Sequence, residues 1–202
     1  MKNVDVDSLA KAVMGRIFVE LEASGRHVHV TKEQAQRLFG HPLTEKRPLS
    51  QPGQYLANER VTVIGPKGEF QNVAVLGPER QAAQVEISLT DGRSIGIVPP
   101  VRPSGEITGS PGIRLAGPKG TLDLPSGVIA AQRHIHMTPE DASYMGVRDR
   151  QLVKLQVFTE RPLIFEDVLV RVSADYATFV HLDYDEANAC GFQPGDLGRI
   201  LS

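Results

Sequence analysis

The sequence contains only one cysteine, Cys190, so it can form no disulfide within the chain. Its 22 lysines and arginines are balanced by 24 acidic residues, and the net charge of −2 excludes the broad basic surface that binds a nucleic-acid backbone. No stretch approaches the roughly 18 apolar residues of a membrane span, and the N-terminus lacks the features of a secretory signal. We therefore expect a cytoplasmic protein without nucleic-acid or membrane partners.

Short strands separated by turns dominate the sequence. Hydrophobic residues make up 41 % of the chain and charged residues 23 %, which is typical of a folded globular protein, and the 19 glycines and 14 prolines cluster between the apolar runs. The predicted strands cover residues 18–23, 60–64, 73–76, 84–89, 94–98, 152–158, 167–172 and 179–182. The predicted short helices cover residues 31–38, 139–145 and 185–190. This pattern predicts a mainly β protein of small β-barrels capped by short helices.

An internal repeat relates the two halves of the chain. Residues 26–35 (RHVHVTKEQA) match residues 133–142 (RHIHMTPEDA) in residue class at nearly every position, at an offset of 107. In each copy two histidines one residue apart lie on a predicted strand, and a threonine follows that can cap a short helix. We therefore expect two related β-barrel domains, each with two imidazoles on one face of a strand.

A third donor in each half completes a candidate metal site. Residues 73–88 align with residues 168–183 at an offset of 95, and this alignment places Glu86 at the position of His181. The two resulting donor sets are His27, His29 and Glu86 in the first half, and His134, His136 and His181 in the second. Sets of this composition leave zinc an open fourth position for water or substrate, as in catalytic sites.

Other interpretations of these residues stay open at this point. A single His-x-His on a strand is usually a solvated or hydrogen-bonded pair, so the metal interpretation depends on the duplication. Glu86 could be a surface residue of an edge strand, although burying a carboxylate between apolar neighbours is costly without a cation or hydrogen-bond donors. Of the six histidines, His41 alone lies outside both sets, in a predicted loop.

Two segments have residues that suit an anion. Arg80 lies six residues before Glu86, and Arg102 and Ser104 precede a glycine- and serine-rich turn at residues 108–112. Arginine offers a planar fork of donors to phosphate, and glycine-rich turns let backbone N–H groups approach an oxyanion. Solvated loop arginines and ordinary turns also explain these segments.

The N-terminal residues form a separate amphipathic segment. Apolar residues recur there at helical spacing at Val6, Leu9, Ala10, Val13 and Ile17. The spacing predicts a helix over residues 5–16, which could pack on its own barrel or bind a partner.

Taken together, the sequence resembles the PduL-type phosphate propanoyltransferases (phosphotransacylases) of bacterial microcompartments in a series of motifs: GRHVHVT, KRPLSQPGQY, VLGPER followed by QVEIS, PPVRPSGEITGSPG, GPKG, GVIAAQRHIHMTPEDA and FVHLD. The resemblance extends from about residue 17 to the C-terminus, and the paired histidine motifs with their flanks are specific to that family. Ala83 departs from the pattern, because the family more often has threonine before Gln-Val-Glu; the change affects no ligand but alters local hydrogen bonding.

The resemblance implies a reaction and a site. The family interconverts an acyl-CoA and phosphate with an acyl phosphate and free CoA, which implies a short-chain substrate such as propionyl-CoA or acetyl-CoA. It uses two metal ions, normally Zn²⁺, in a site shared by two β-barrel domains. Matched residue by residue, the resemblance assigns one zinc to His27, His29 and Glu86 and the other to His134, His136 and His181. It also makes Arg80 the phosphate-binding arginine and Ser104 an active-site serine.

The resemblance also implies a domain arrangement and a location. Residues 16–23 would join residues 132–202 in one barrel, around a second barrel of residues 24–131. Residues 1–15 would form an amphipathic encapsulation segment that binds microcompartment shell proteins. The expected location is then the microcompartment lumen, or the cytoplasm without encapsulation, and the expected assembly is a homo-oligomer.

Two other functions could use the same ligands. A metal-dependent sensor would bind a small molecule without turnover, and a metal-dependent hydrolase would direct water to the carbonyl carbon. Dependence on CoA separates the three, because a sensor shows no chemistry and a hydrolase consumes acyl phosphate without CoA.

Overall fold

The structure is a computed structural model that describes Asp5, Ala10 and residues 13–201. The chain divides into two compact units. The sheet unit contains residues 24–132 and 183–185, and the barrel unit contains the chain up to Ala23, residues 133–182 and the chain from Glu186 onwards. No helix found in these described parts is long and apolar enough to cross a membrane.

From Val19 onwards, the regular elements of the described residues are short strands and four short helices. In chain order they are β1 (Val19–Ser24), β2 (His27–His29), α1 (Lys32–Phe39), β3 (Glu45–Pro48), β4 (Tyr55–Ile64), β5 (Glu69–Gly77), β6 (Gln84–Glu86), α2 (Leu89–Ile95), β7 (Val101–Arg102), β8 (Ile113–Ala116), β9 (Thr121–Leu124), β10 (Val128–Ala131), β11 (His134–Met137), α3 (Pro139–Met145), β12 (Leu152–Phe158), β13 (Leu163–Val172), β14 (Phe179–Asp183), α4 (Tyr184–Cys190) and β15 (Leu197–Leu201). The predicted mainly β class is confirmed.

The barrel unit is a closed six-stranded barrel in the order β1-β14-β11-β13-β12-β15. The strand from the start of the chain closes it, because Val19 of β1 pairs antiparallel with Gly198 of β15. Alternate residues along the strands face inward, and the core includes Leu21, Leu155 and Val170, each at most 1 % exposed. Burial of each such side chain contributes roughly 1.5–3 kcal/mol.

The sheet unit contains a nine-stranded sheet in the order β7-β10-β6-β2-β5-β4-β8-β9, with β3 added on β4. The sheet curls into a half-barrel. The half-barrel occupies the place of the second expected barrel, and within the described residues β7 and β9, at the two ends of the sheet, are not hydrogen-bonded to each other. These end strands have only two and four residues.

The two units repeat one strand arrangement. In the sheet unit β2 pairs antiparallel with β6 and parallel with β5, while β5 pairs antiparallel with β4. In the barrel unit β11 pairs antiparallel with β14 and parallel with β13, while β13 pairs antiparallel with β12. Each His-x-His strand thus lies between one antiparallel neighbour, which carries the third donor of the predicted set, and one parallel neighbour.

Capping residues mark the starts and ends of three of the helices. Thr31, Ser88 and Thr138 precede α1, α2 and α3, and each side-chain oxygen accepts a hydrogen bond from the backbone N–H three residues later. Each of these helices ends at a glycine with φ between 67° and 82°, a conformation that glycine adopts without strain. The three predicted helices agree with α1, α3 and α4 to within one residue at each end.

The predicted strand over residues 94–98 is wrong. Ser94 and Ile95 are the last residues of α2, and the predicted strand over residues 84–89 ends at Glu86. Ser88 and Asp91 form a capping box that starts the helix, and Ile95 is 1 % exposed in the core. The capping signal and the buried helical face outweigh the short alternating pattern of residues 94–98.

The amphipathic helix predicted for residues 5–16 is described only in part. Ala10, Val13 and Met14 are helical, and the backbone N–H of Phe18 donates to Met14 O at 2.8 Å. Val13, Met14 and Ile17 are 43–46 % exposed. Asp5 has no regular structure and Gly15 and Arg16 lie in a turn, so the helix does not include these ends of the predicted range. Residues 6–9, 11 and 12 of the predicted helix lie outside the described part of the chain.

Candidate metal centres

The alternation of side chains along a strand sets the orientation of the paired histidines. Val28, between His27 and His29, belongs to the core of the sheet unit, and Ile135, between the second pair, belongs to the core of the barrel unit. Since successive side chains point to opposite faces, the two imidazoles of each pair share the face away from that core.

Strand register brings the third donor to each pair. His27 lies directly opposite Glu86 across β2 and β6, and His29 lies opposite Gln84. In the same way His134 lies opposite His181 across β11 and β14. The structure therefore brings together both predicted donor sets, and in each the donor atoms all lie within 4.8 Å of one another.

The first group, formed by His27, His29 and Glu86, is buried, with its members 2–8 % exposed. The two imidazole rings are 5.0 Å apart between centroids and nearly perpendicular, at 89°. His27 Nε2 lies 3.6 Å from Glu86 Oε2. This geometry directs two ring nitrogens and one carboxylate oxygen towards a common point.

The second group contains three imidazoles. The ring centroids of His134, His136 and His181 are 4.6 to 5.0 Å apart. His134 and His136 are 8 % and 7 % exposed. Tyr176 covers one side of the group, because its ring stacks on His136 with centroids 4.1 Å apart at 29°.

Backbone carbonyls determine which nitrogens of the first group face the site. His27 Nδ1 lies 2.8 Å from Gly25 O and His29 Nδ1 lies 3.2 Å from Leu76 O. A carbonyl oxygen can only accept, so both Nδ1 atoms carry hydrogen and donate. In the neutral rings Nε2 then holds the lone pair that a metal requires, with the outer nitrogen fixed as is usual for metal-binding histidines. In the second group His181 Nδ1 lies 3.6 Å from Glu22 Oε2.

The first group is electrostatically coupled. Burial alone would lower the pKa of His27, but the charge and hydrogen bond of Glu86 outweigh burial and raise it. Burial alone would raise the pKa of Glu86, but the charge and hydrogen bond of His27 hold it well below its usual range. Burial and the nearby positive charges of His27 and Arg80 keep the pKa of His29 well below its ordinary value. These shifts favour a protonated His27 beside an ionised Glu86, and metal binding at Nε2 would displace the proton of His27.

Gln84, which the sequence analysis missed, fixes the carboxylate of Glu86. Its Nε2 donates to Glu86 Oε1 at 2.5 Å and to Ser104 Oγ at 2.9 Å. Its Oε1 accepts from the backbone N–H of Gly105 at 2.8 Å, and Ser104 Oγ donates to Glu86 Oε1 at 2.7 Å. Glu86 Oε1 is thus held by two donors and Oε2 faces His27. The available signal was that Gln84 precedes Glu86 by two residues on one strand and shares its face.

Arg80 lies within electrostatic range of the first group. Its positive charge contributes to the lowered pKa of His29, after burial and the charge of His27, and weakly opposes the rise in the pKa of His27 that Glu86 causes. Its backbone N–H donates to Val30 O at 2.9 Å, which ties residue 80 to the segment that follows the histidine pair. A guanidinium here could bind an anion next to the group.

The composition of both groups fits zinc. Two imidazoles with a carboxylate and three imidazoles are the donor sets of catalytic zinc sites, which keep one position open. An ion there would polarise a carbonyl group or lower the pKa of a bound thiol or water.

Comparison with known proteins extends over nearly the whole chain. A family model described as phosphate propanoyltransferase matches residues 20–193. A phosphate propanoyltransferase of Listeria monocytogenes is 51 % identical over 207 residues, covering 100 % of this chain and 97 % of the relative. That of Enterococcus faecalis is 54 % identical over 184 residues, covering 90 % and 87 %. That of Salmonella typhimurium is 51 % identical over 186 residues, covering 91 % and 89 %.

Proposed function

Because the chain belongs to the phosphate propanoyltransferase family and is therefore an acyltransferase, we propose that it is a phosphotransacylase with a two-zinc site. It interconverts a short-chain acyl-CoA, propionyl-CoA or acetyl-CoA, and phosphate with the acyl phosphate and CoA. The observation that supports the metal site is the pair of buried donor groups at equivalent strand positions. Family membership supports the reaction.

One zinc is held by His27, His29 and Glu86, and the other by His134, His136 and His181. Bound zinc would supply positive charge that lowers the pKa of the CoA thiol and stabilises negative charge on the carbonyl oxygen. The carbonyls of Gly25 and Leu76 orient the first two imidazoles, and Glu22 faces His181 in the other group.

Arg80 binds the phosphate group in this proposal. In the direction of thioester formation, the sulfur of CoA attacks the carbonyl carbon, the C–S bond forms and the C–O bond to phosphate breaks. Negative charge grows on the leaving phosphate, and the guanidinium of Arg80 stabilises it more in the transition state than in the ground state. In reverse, phosphate attacks the thioester from the same position.

Ser104 supports the site through the carboxylate of Glu86. Its hydroxyl donates to Glu86 Oε1 and accepts from Gln84 Nε2. The hydroxyl proton is therefore used to hold the carboxylate of Glu86. Together Gln84 and Ser104 leave the other carboxylate oxygen for the metal. A ligand fixed in this way needs little rearrangement as charge develops.

The N-terminal segment, residues 1–15, directs the enzyme to a bacterial microcompartment in this proposal. The exposure of Val13, Met14 and Ile17 supports a partner, because these side chains are not buried by the chain's own barrel. Deleting residues 1–14 should abolish co-localisation with shell proteins while the activity in solution remains. A deletion variant that fails to fold would instead show that the segment packs on its own barrel. The proposed homo-oligomeric state can be checked by light scattering of the full chain.

The first experiment combines metal analysis with an assay. Purified protein is analysed for zinc, and thioester formation from propionyl phosphate and CoA is followed before and after chelation. About two zinc ions per chain, with CoA-dependent activity that chelation abolishes and zinc restores, would support the proposal. Consumption of acyl phosphate without CoA would indicate a hydrolase, and zinc without turnover a sensor. Activity that survives complete removal of metal would exclude the metal-dependent reaction.

A further inference from the structure

An arginine precedes the first histidine of each pair and contacts an acidic residue near the start of a helix. Arg26 Nε and Nη2 donate to the two carboxylate oxygens of Asp91 at 3.1 and 2.7 Å. Arg133 Nη1 donates to Glu186 Oε1 at 2.9 Å, and its Nε donates to the carbonyl oxygen of Glu166 at 2.7 Å. The two acidic side chains are 10 % and 17 % exposed.

These contacts are equivalent in the internal repeat. The arginines are separated by 107 positions, as the histidine pairs are, and the acidic residues by 95, as Glu86 and His181 are. Asp91 and Glu186 are each the third residue of their helix, α2 and α4. Each arginine also lies over a phenylalanine ring. The distance from the arginine Cζ to the ring centroid is 4.0 Å for Arg26 over Phe70 and 5.8 Å for Arg133 over Phe165. The list of equivalent residues is then Arg26, Phe70 and Asp91 in one unit and Arg133, Phe165 and Glu186 in the other.

Each arginine connects the three elements that determine the position of the metal ligands. Arg26 directly precedes β2, which holds the first two ligands, and Asp91 lies five residues after the third ligand, Glu86. Phe70 lies on β5, the parallel neighbour of β2. The corresponding elements in the barrel unit are β11, α4 and β13. The same contact among a strand, its parallel neighbour and a helix thus occurs twice, each time next to the proposed metal ligands. Ion pairs formed by chance on the surface would not repeat in this way.

We propose that Arg26 with Asp91 and Arg133 with Glu186 are positioning pairs, each of which sets the affinity of its own donor group for zinc. The inference rests on the proposed two-zinc site. Each pair fixes the strand of the histidines relative to the helix that follows the third ligand, so the three donors stay in place when the metal is absent. Residues that orient metal ligands typically change metal affinity by roughly 10- to 100-fold when they are replaced.

The test measures zinc affinity by competition with a chelator in the full-length protein. Arg26→Gln and Asp91→Asn should each weaken one of the two zinc ions by roughly 10- to 100-fold. The double variant should lose no more than the worse single variant, because the two residues act as one unit. Arg133→Gln and Glu186→Gln should do the same to the other ion.

Arg114→Gln is the matched control. Arg114 Nε and Nη2 pair with Asp123 at 2.7 and 3.1 Å, the same two distances as the Arg26 pair. That pair is 56 % and 71 % exposed and lies on β8 and β9, which carry no ligand of either group. Its loss should leave zinc affinity unchanged. In a His136→Ala background, Arg26→Gln should still weaken the remaining zinc and Arg133→Gln should not.

Arg26→Lys separates positioning from a general structural role. Lysine keeps the charge but not the fork of two donors, so zinc affinity should be partly restored relative to Arg26→Gln. If Arg26→Gln does not fold, Arg26→Lys supplies the decisive comparison. If the wild-type protein binds two zinc ions and the variants bind zinc with unchanged affinity, this inference alone is overturned. That holds even if the variants lower the thermal stability of the metal-free protein, because the pairs would then have only a structural role. Wild-type protein that binds no zinc would overturn both this inference and the proposed two-zinc site.

Discussion

His134 lies directly opposite His181 across β11 and β14, at the strand positions where His27 lies opposite Glu86 in the sheet unit. The same backbone geometry therefore presents an imidazole in one unit and a carboxylate in the other. The carboxylate gives the first group one more negative charge than the second. An ion in the first group would carry a smaller effective charge, and an ion in the second would be the stronger electrophile.

Removing one histidine from each group tests the assignment of ligands. His29→Ala and His136→Ala should each reduce the zinc content by about one ion per chain and lower turnover by more than roughly 100-fold, because a ligand matters more than the residues that orient it. Elemental analysis and the thioester assay measure both effects. His41→Ala is the control, since His41 is 52 % exposed and belongs to neither group. Unchanged zinc content in His29→Ala would contradict the assignment.

Gln84→Leu should weaken both the fold and the first metal site. Gln84 is 2 % exposed, and the change leaves Gly105 N–H and Glu86 without this partner. The expected loss of unfolding free energy is about 1–3 kcal/mol, measured by urea denaturation of metal-free protein, with zinc affinity lower by roughly 10-fold. Gln71→Leu removes an exposed amide that donates to Glu69 and should change neither quantity. Equal effects of the two changes would rule out the role given to Gln84.

Arg80→Ala should raise the KM for phosphate and acyl phosphate by roughly 10- to 100-fold, since a hydrogen bond to a charged group is worth about 1.5–3 kcal/mol. Turnover should also fall, because the charge stabilises the leaving phosphate. Arg80→Lys should recover part of the loss. Steady-state kinetics at varied phosphate and at varied CoA separate the two substrates. Arg47→Ala, an exposed arginine on β3, is the control. An Arg80→Ala enzyme with unchanged KM and kcat would exclude phosphate binding by Arg80.

Tyr176→Phe should keep the zinc affinity of the second group, because the ring that stacks on His136 remains. Tyr176→Ala should lower it by roughly 2- to 10-fold, since an aromatic contact of this kind is worth about 0.5–1.5 kcal/mol. Chelator competition in a His29→Ala background reports on the second group alone. The same affinity in all three proteins would show that the stacking does not support the site.

Glu59 should make stability depend on pH in the acid range. Burial alone would raise the pKa of Glu59, but hydrogen bonds from Thr44 Oγ1 at 2.6 Å and from Thr44 N at 3.0 Å outweigh burial and lower it. A lowered folded pKa means that the stabilisation is complete above the unfolded pKa of about 4.3 and is lost as the pH falls through the folded pKa. Glu59→Gln should therefore cost stability near neutral pH, and the difference from wild type should shrink on acidification.

Urea denaturation at a series of pH values measures that difference. Glu166→Gln is the comparison, because the hydrogen bond and charge of Lys154 also lower the pKa of Glu166. That pair is 58 % and 64 % exposed, so water screens it and its removal should have little effect at any pH. A constant difference between wild type and Glu59→Gln across the series would contradict the prediction.

Much of the site was accessible from the sequence because it depends on local rules. The two-residue period of a strand puts His27 and His29 on one face, and the internal repeat points to Glu86 and His181 without any knowledge of the fold. Capping residues such as Thr138 and Pro139 fixed the short helices for the same local reason. Predictions failed where two local patterns competed, as at residues 94–98, where the capping box of Ser88 and Asp91 outweighed the alternating pattern.

The sequence by itself determined the class of fold, the duplicated histidine pairs and the donors that could accompany them. Only the tertiary structure decided that Gln84 and Ser104 hold one oxygen of Glu86, that Tyr176 stacks on His136, and that one sheet closes while the other does not. These features depend on strand register and on the path of loops such as residues 103–105. Register and loop paths are set by packing between residues distant in sequence, for which a single sequence carries no periodic signal.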